Sequence, residues 1–393
     1  MHTTAKTRQS NFELVRIIAM LMIVASHLAC HGVQHVLAAE NAYSDYNAAS
    51  LFNRLFTSFL SPGGSIGVAL FFIMTGYFVC KKDSCSVKKV ALQSAFYSFA
   101  LGAFFTALIV INFITRGGYS FPDFSVFEKI RSVLMSFLRP VSDGWWFVKA
   151  YILLALCAPL INTLVRSFSK RGFQFFIFFV WAFYYSISYV FGDEYQGLIR
   201  AFFFYILGSF IRLHLPRGKF GFKKNAALVL ICIILYAAMG AAEFLQPKNL
   251  SSENYVSVSE AVLNRLFEII KSCIGAPVFS FCFFRIFENL DIGFCPKINK
   301  ISSATFGVYL IHDNSFSRSF IWNAIFSVSS RQLFSPLFPV AAVLDIAAVF
   351  SVCVLIDLLR KKFFEPFYTR LFEKFEVKLK GLLFMKKIEN QAQ

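Results

Sequence analysis

The stretch Asn11–Gly32, NFELVRIIAMLMIVASHLACHG, is an apolar run of bilayer length that nevertheless carries Glu13, Arg16, His27 and His31. About 20 mostly apolar residues suffice to cross a hydrocarbon core roughly 30 Å thick, so a membrane-spanning helix is predicted here. Ionisable groups kept inside such a span point to function. Arg16 and His27 stand eleven positions apart. On an α-helix that is about 16 Å of rise and about 20° from a whole number of turns, so both share one face. His31 extends the stripe one turn later. With Arg16 at the cytoplasmic boundary, His27 falls near mid-depth, and the two read as a charge clamp and a proton acceptor. A snorkelling anchor and a hydrogen bond between helices account for them equally well at this level.

Working outward, 57% of the 393 residues are hydrophobic and 52 are Phe, more apolar material than a soluble core can hide. The class is therefore all-α, a polytopic helical membrane protein. The net charge of +17 would suggest nucleic acid in a soluble chain, but the basic residues lie mostly between apolar runs. They read as topology signals, and no nucleic-acid partner is expected. Nine Cys occur without a Cys-x-x-Cys pair or a zinc-spaced His, so neither a disulfide framework nor a metal is indicated. The first span is too long, and too charged at Arg16, for a cleaved signal peptide, and is expected to remain.

Apolar runs occur near residues 12–31, 65–80, 90–113, 144–164, 173–191, 198–212, 226–245, 265–284, 302–321 and 338–359, which predicts about ten helices. Basic residues follow alternate runs, among them Lys81, Lys82, Lys88 and Lys89, then Arg166 and Lys170, then Arg217 and Lys224. The positive-inside rule places these loops, and both termini, in the cytoplasm. One domain is expected over 1–393: a short N-terminus to about residue 11, a bundle over about 12–359, and a basic tail over about 360–393. The outward segments 32–64 and 114–143 have room for re-entrant or amphipathic pieces, and Ser61-Pro62-Gly63-Gly64 marks a turn before the second span.

Three further constellations carry chemistry. ISSATFGVYLIHD, Ile301–Asp313, puts His312 about 13 Å up from Ser303 on a helix, near the depth of His27, so the two histidines can face one cavity. Asp313 points about 100° away from His312 and is not predicted to orient it; a polar packing contact is the commoner role for such a histidine. CKKDSCSVKK, Cys80–Lys89, gathers Lys81, Lys82, Lys88 and Lys89, which can pair with the phosphates of a cofactor or, more commonly, mark topology and meet anionic lipid. DGWWFVKAY, Asp143–Tyr151, places Trp145 and Trp146 at the outer boundary, where indoles anchor a helix and can also stack on a sugar.

Taken in order, these blocks resemble the acyltransferase-3 family of integral-membrane acyltransferases. The resemblance rests on Arg16 with His27, Ile66-Gly67-Val68 with Thr75-Gly76-Tyr77-Phe78, Trp145-Trp146-Phe147 with Tyr151, Pro159 and Asn162, and Thr305 through Asp313. It is nearest to the bacterial exopolysaccharide and capsule O-acetyltransferases. It implies a catalytic His27, a functionally required Arg16, and an acyl donor associated with the basic residues after the second span. Here those are Lys81, Lys82, Lys88 and Lys89 where many members have arginines, which removes bidentate phosphate contacts. As a charge clamp below His27, Arg16 is expected to hold a phosphate or pantetheine carbonyl of that donor.

The expected function is transfer of acetyl from cytoplasmic acetyl-CoA to a sugar hydroxyl of a surface polysaccharide or its lipid-linked precursor, in the inner membrane of a bacterium. His27 would serve as general base. His31, Trp145, Trp146, Tyr151, His312 and Asp313 are the candidates for the acceptor side. A flippase for lipid-linked sugars and an acyltransferase with a non-carbohydrate acceptor are the alternatives; interrupted inverted repeats would favour transport, and none is visible. Membrane lipids are the remaining expected partner. Cysteine-accessibility labelling should place positions 82 and 224 inside and position 193 outside; finding 193 on the same side as 82 would overturn the order of spans three to five.

Overall fold

The computed structural model describes residues 9–34, 50–83, 85–114, 145–191, 196–218, 221–245, 266–267, 269–329 and 331–391, and no strand occurs among them. The Gly192-Asp193-Glu194 connection and most of the two long outward segments lie outside the described residues. In chain order the helices are α1 (Ser10–His27), α2 (Leu51–Leu60), α3 (Gly63–Val79), α4 (Lys88–Ile114), α5 (Trp146–Ser167), α6 (Lys170–Phe191), α7 (Gln196–His214), α8 (Phe222–Leu245), α9 (Ala276–Glu288), α10 (Pro296–Ser303), α11 (Thr305–His312), α12 (Ser315–Ser319), α13 (Phe338–Phe363) and α14 (Glu365–Gln391). Wider π-helical turns run on from α1 over Leu28–Gln34, precede α9 over Ile270–Gly275 and follow α12 over Phe320–Ile325.

Seven helices among the described residues are long and apolar enough to cross a membrane. The chain is a polytopic helical membrane protein. Among the described residues three of the ten expected spans are interrupted: those at 12–31 and 265–284 contain a π-helical turn, and that at 302–321 divides into α11, α12 and the turn after them. Interrupted backbone at membrane depth is tolerated only where protein, not lipid, surrounds it. That condition holds at the break between α11 and α12, where Asp313 and Asn314 are each 1% exposed. The Asn314 side chain accepts a hydrogen bond from the Phe316 N–H at 3.0 Å and starts α12.

The bundle is built around α3, whose Ala69, Leu70, Phe72 and Ile73 have no exposed surface. It packs against α1 on one side and α7 on the other. Lipid tails are as apolar as leucine, so helices in a membrane associate by close fit rather than by exclusion of water. Small residues supply the fit. Gly76 of α3 lies against the Tyr205 carbonyl of α7, and Gly208 of α7 against the Ile73 carbonyl of α3; a Cβ at either would overlap the facing oxygen. Asn162 of α5 then secures the end of α3, donating to the Val79 and Lys82 carbonyls at 3.0 and 2.9 Å and accepting from the Tyr205 hydroxyl at 2.6 Å. The turn at Ser61-Pro62 precedes α3, where Ser26 of α1 donates to the Ser61 carbonyl at 2.7 Å.

Gly76→Ala and Gly208→Ala should each lower stability by about 1–3 kcal/mol, the cost of overpacking. Gly172→Ala, whose nearest neighbour is the Ser169 hydroxyl at 3.3 Å, should stay within about 0.5 kcal/mol. Thermal denaturation in detergent makes the comparison.

Candidate functional site

Arg16, Met20 and Ile23 recur at i, i+4 and i+7 on α1, and all three line a cavity of about 370 Å3. His27 is the next residue on that face. Tyr151 of α5 and Tyr309 of α11 form the facing wall, while Lys89 of α4 and Ser303 of α10 stand with Arg16 at the other end. Tyr309 precedes His312 by one turn on α11 as Ile23 precedes His27 on α1, so the two histidines lie one turn beyond the end of the cavity opposite Arg16 and Lys89, without lining it.

The structure brings those histidines into contact. His27 Nδ1 lies 2.9 Å from His312 Nε2, and His312 Nδ1 lies 2.6 Å from the Val308 carbonyl oxygen. A carbonyl only accepts, so His312 Nδ1 carries the proton. With the ring neutral, its Nε2 is an acceptor, and His27 Nδ1–H must be the donor to it. The tautomer of His27 follows: its lone pair sits on Nε2. Two ordinary features of α11, an i−4 carbonyl and a histidine at the last position, thus set the protonation pattern of a side chain on another helix. Asp313 Oδ1 is 3.3 Å from the same His27 nitrogen, where a carboxylate favours an imidazolium when one forms. Arg318 balances that carboxylate through Nη2 at 2.7 Å and Nε at 2.9 Å. His312 is completely buried, and the His27 side chain is 17% exposed.

Donor atoms of His27, His31 and Asp313 fall within 4.8 Å of one another, a spacing that can hold a metal ion. The guanidinium of Arg318, on the Asp313 oxygen nearest His27, sets a fixed positive charge against such an ion.

Other expected residues are distributed unevenly. His31, on the π-helical turn, stacks edge-on to His27 with ring centroids 5.0 Å apart. Arg16 is paired within its helix to Glu13 at 3.3 Å, and Glu13 also accepts from the Ser302 hydroxyl at 2.5 Å. The four lysines do not form one cluster: Lys89 lines the cavity, Lys88 bonds Glu376 at 3.1 Å, and Lys81 and Lys82 are exposed at the end of α3, away from the cavity wall. The tryptophans depart furthest from expectation. Trp145 has no exposed surface, and Trp146 packs on Gly197 with the Arg200 guanidinium 5.9 Å from its ring. Trp145 is therefore a core side chain, unable to anchor at an interface or stack on a sugar from outside. Asp313, which helix geometry separates from its neighbour His312, instead serves His27 across the helix gap.

Sequence reasoning passed over Asp357. It is fully buried in α13 and accepts from Gln93 at 3.0 Å, Tyr97 at 2.9 Å and Arg360 at 2.7 Å, joining α4 to α13. Gly307 of α11 lies directly against its carboxylate. An aspartate within a span of Val, Leu and Ile was the available signal.

A family model described as an acyltransferase domain matches residues 9–358. The chain belongs to the acyltransferase-3 family. No curated protein and no solved structure matches it. The match extends from the residue before α1 to the residue after Asp357, so both histidines, Arg16 and the whole cavity belong to the acyltransferase domain.

Removing either member of the Asp313–Arg318 pair should have unequal effects, because the carboxylate side chain is 2% exposed and the guanidinium 30%. Arg318→Ala strands a buried anion and should cost about 3–5 kcal/mol. Asp313→Asn leaves a cation that water can reach and should cost less. Thermal midpoints of the two purified variants give the order, and the reverse order would contradict the assignment.

Proposed function

We propose that this acyltransferase carries acetyl from acetyl-CoA to a hydroxyl of a bacterial surface polysaccharide or its lipid-linked precursor, with His27 as general base. The observation that carries this reading is one cavity beside one fixed tautomer: Arg16 and Lys89 line the cavity at one end, and His27, with its lone pair on Nε2, lies one helical turn beyond Ile23 at the other. Phosphates of the donor would sit against Arg16 and Lys89. When Arg16 turns from Glu13 to phosphate, that carboxylate keeps its bond from Ser302. The acyl-bearing arm runs past Tyr151 and Tyr309 toward the histidines, and the acceptor approaches past His31.

In the chemical step His27 Nε2 takes the proton of the acceptor hydroxyl as its oxygen attacks the thioester carbonyl. The new C–O bond forms, the C–S bond breaks, and the proton passes from His27 to the departing sulfur. His312 holds the imidazole of His27 in the productive tautomer throughout, and Asp313 offsets the positive charge it carries between the two proton transfers.

His27→Ala should retain donor binding and lose at least about a hundredfold in acetyl transfer. His312→Ala should lower kcat about tenfold with the donor KM unchanged, as expected for one positioning hydrogen bond of about 1.5 kcal/mol. A change in donor KM alone would reduce His312 to packing. Protonation of His27 removes the base, so the rate should fall on acidification, and the residual rate of His27→Ala should not follow that fall. For the acceptor, glycan from cells with and without the gene should differ in O-acetyl content; identical acylation would sink the polysaccharide assignment.

A further inference from the structure

Helix α14 lies beyond the residues that the family shares, and acyl transfer gives no reason for its surface. One face is folded onto the bundle. The Tyr368 ring lies 5.6 Å from that of Phe96, Glu365 is 3.6 Å from Lys89, and Glu376 is 3.1 Å from Lys88. Lys88 also sits 4.8 Å over the ring of Phe372.

The opposite face is unpartnered and strongly ordered by chemistry. Phe367, Leu371 and Phe375 recur every four residues and are 71%, 60% and 61% exposed. Arg370, Lys374 and Lys378, also exposed, recur at the same interval along one edge of that stripe. On a helix the two rows run side by side, about 60° apart. The apolar row is continuous with the outer surface of the spanning helix α13, where Leu355, Leu359 and Phe363 are 57%, 45% and 60% exposed. It therefore begins where the lipid-facing surface of the bundle ends.

We propose that α14 is an interfacial helix that docks on the anionic lipid headgroups of the leaflet at the cavity mouth. Phe367, Leu371 and Phe375 enter the boundary of the acyl chains, and Arg370, Lys374 and Lys378 meet the lipid phosphates. A row of large apolar side chains edged by cations is the pattern of helices that lie in a membrane surface. A second copy of this chain fits the face poorly, since it would set the same three cations against each other. Because Glu365 on the inward face pairs with Lys89 of the cavity wall, the docked helix also joins the leaflet to the mouth.

The test uses the full chain in nanodiscs of phosphatidylcholine alone and of phosphatidylcholine with phosphatidylglycerol, with hydrogen exchange of the amides of residues 367–378 as the readout. Exchange should be at least about tenfold slower with the anionic lipid, given about fivefold per surface cation. Arg370→Gln/Lys374→Gln/Lys378→Gln should exchange alike in both bilayers. Should that variant not fold, raising salt to about 0.5 M should abolish the difference in the parent protein. Equal exchange of the parent in both bilayers overturns the proposal. So does protection that follows the number of protein copies per disc instead of the lipid. Neither readout involves acyl transfer, so this proposal and the enzymatic one stand or fall separately.

Discussion

A single hydrogen bond between imidazoles, His27 to His312 at 2.9 Å, connects helix ends 285 residues apart and sets what the centre of the molecule can do. Two helices must finish at the same depth, pointing the same way, for that contact to exist. The break at Ala304 makes this geometry available, since α11 is only 8 residues long and its direction is independent of α10. A continuous helix through that region could not adjust the height of His312 without moving everything on the mouth side as well. The interruption is thus part of the site, and its buried surroundings are what a bilayer requires of irregular backbone.

Four of the five buried carboxylates among the described residues follow one pattern. Glu13, Asp313, Asp357 and Glu288 each face an arginine, respectively Arg16, Arg318, Arg360 and Arg285. Such pairs contribute little net stability, because desolvation of both charges offsets their attraction. Their value lies in geometry: leaving either charge alone in a medium without water is so unfavourable that few alternative packings survive. Asp357 illustrates it, with Gln93 and Tyr97 of α4 satisfied by the same oxygen that receives Arg360. The bonds that these carboxylates accept from other helices, from Ser302, Tyr77, Gln93 and Tyr97, do for polar groups what Gly76 and Gly208 do for the backbone, fixing one spacing between helices.

The mouth has a different character from the histidine pair. At the histidines, protonation is set by groups with no exposed surface; at the mouth, Arg16 and Lys89 are partly open and each is paired to a carboxylate that has other contacts. Weakly held cations of this kind can exchange one anion for another, as the proposed donor binding requires.

Much of this was legible in one dimension. The length of the apolar runs determined the all-helical membrane class, and the 3.6-residue repeat placed Arg16 and His27 on one face, because both depend only on neighbours in the chain. The depth match of His27 and His312 was legible for the same reason. Their bond was not: it depends on the closeness of α1 and α11 and on the Val308 carbonyl that sets the tautomer. Nor could the sequence separate Lys89 from Lys81 and Lys82, since a loop leaves direction undetermined while a helix start does not. Trp145 looked interfacial from its position at a span end and is buried, because burial belongs to the neighbours a residue acquires in folding and not to its place along the chain.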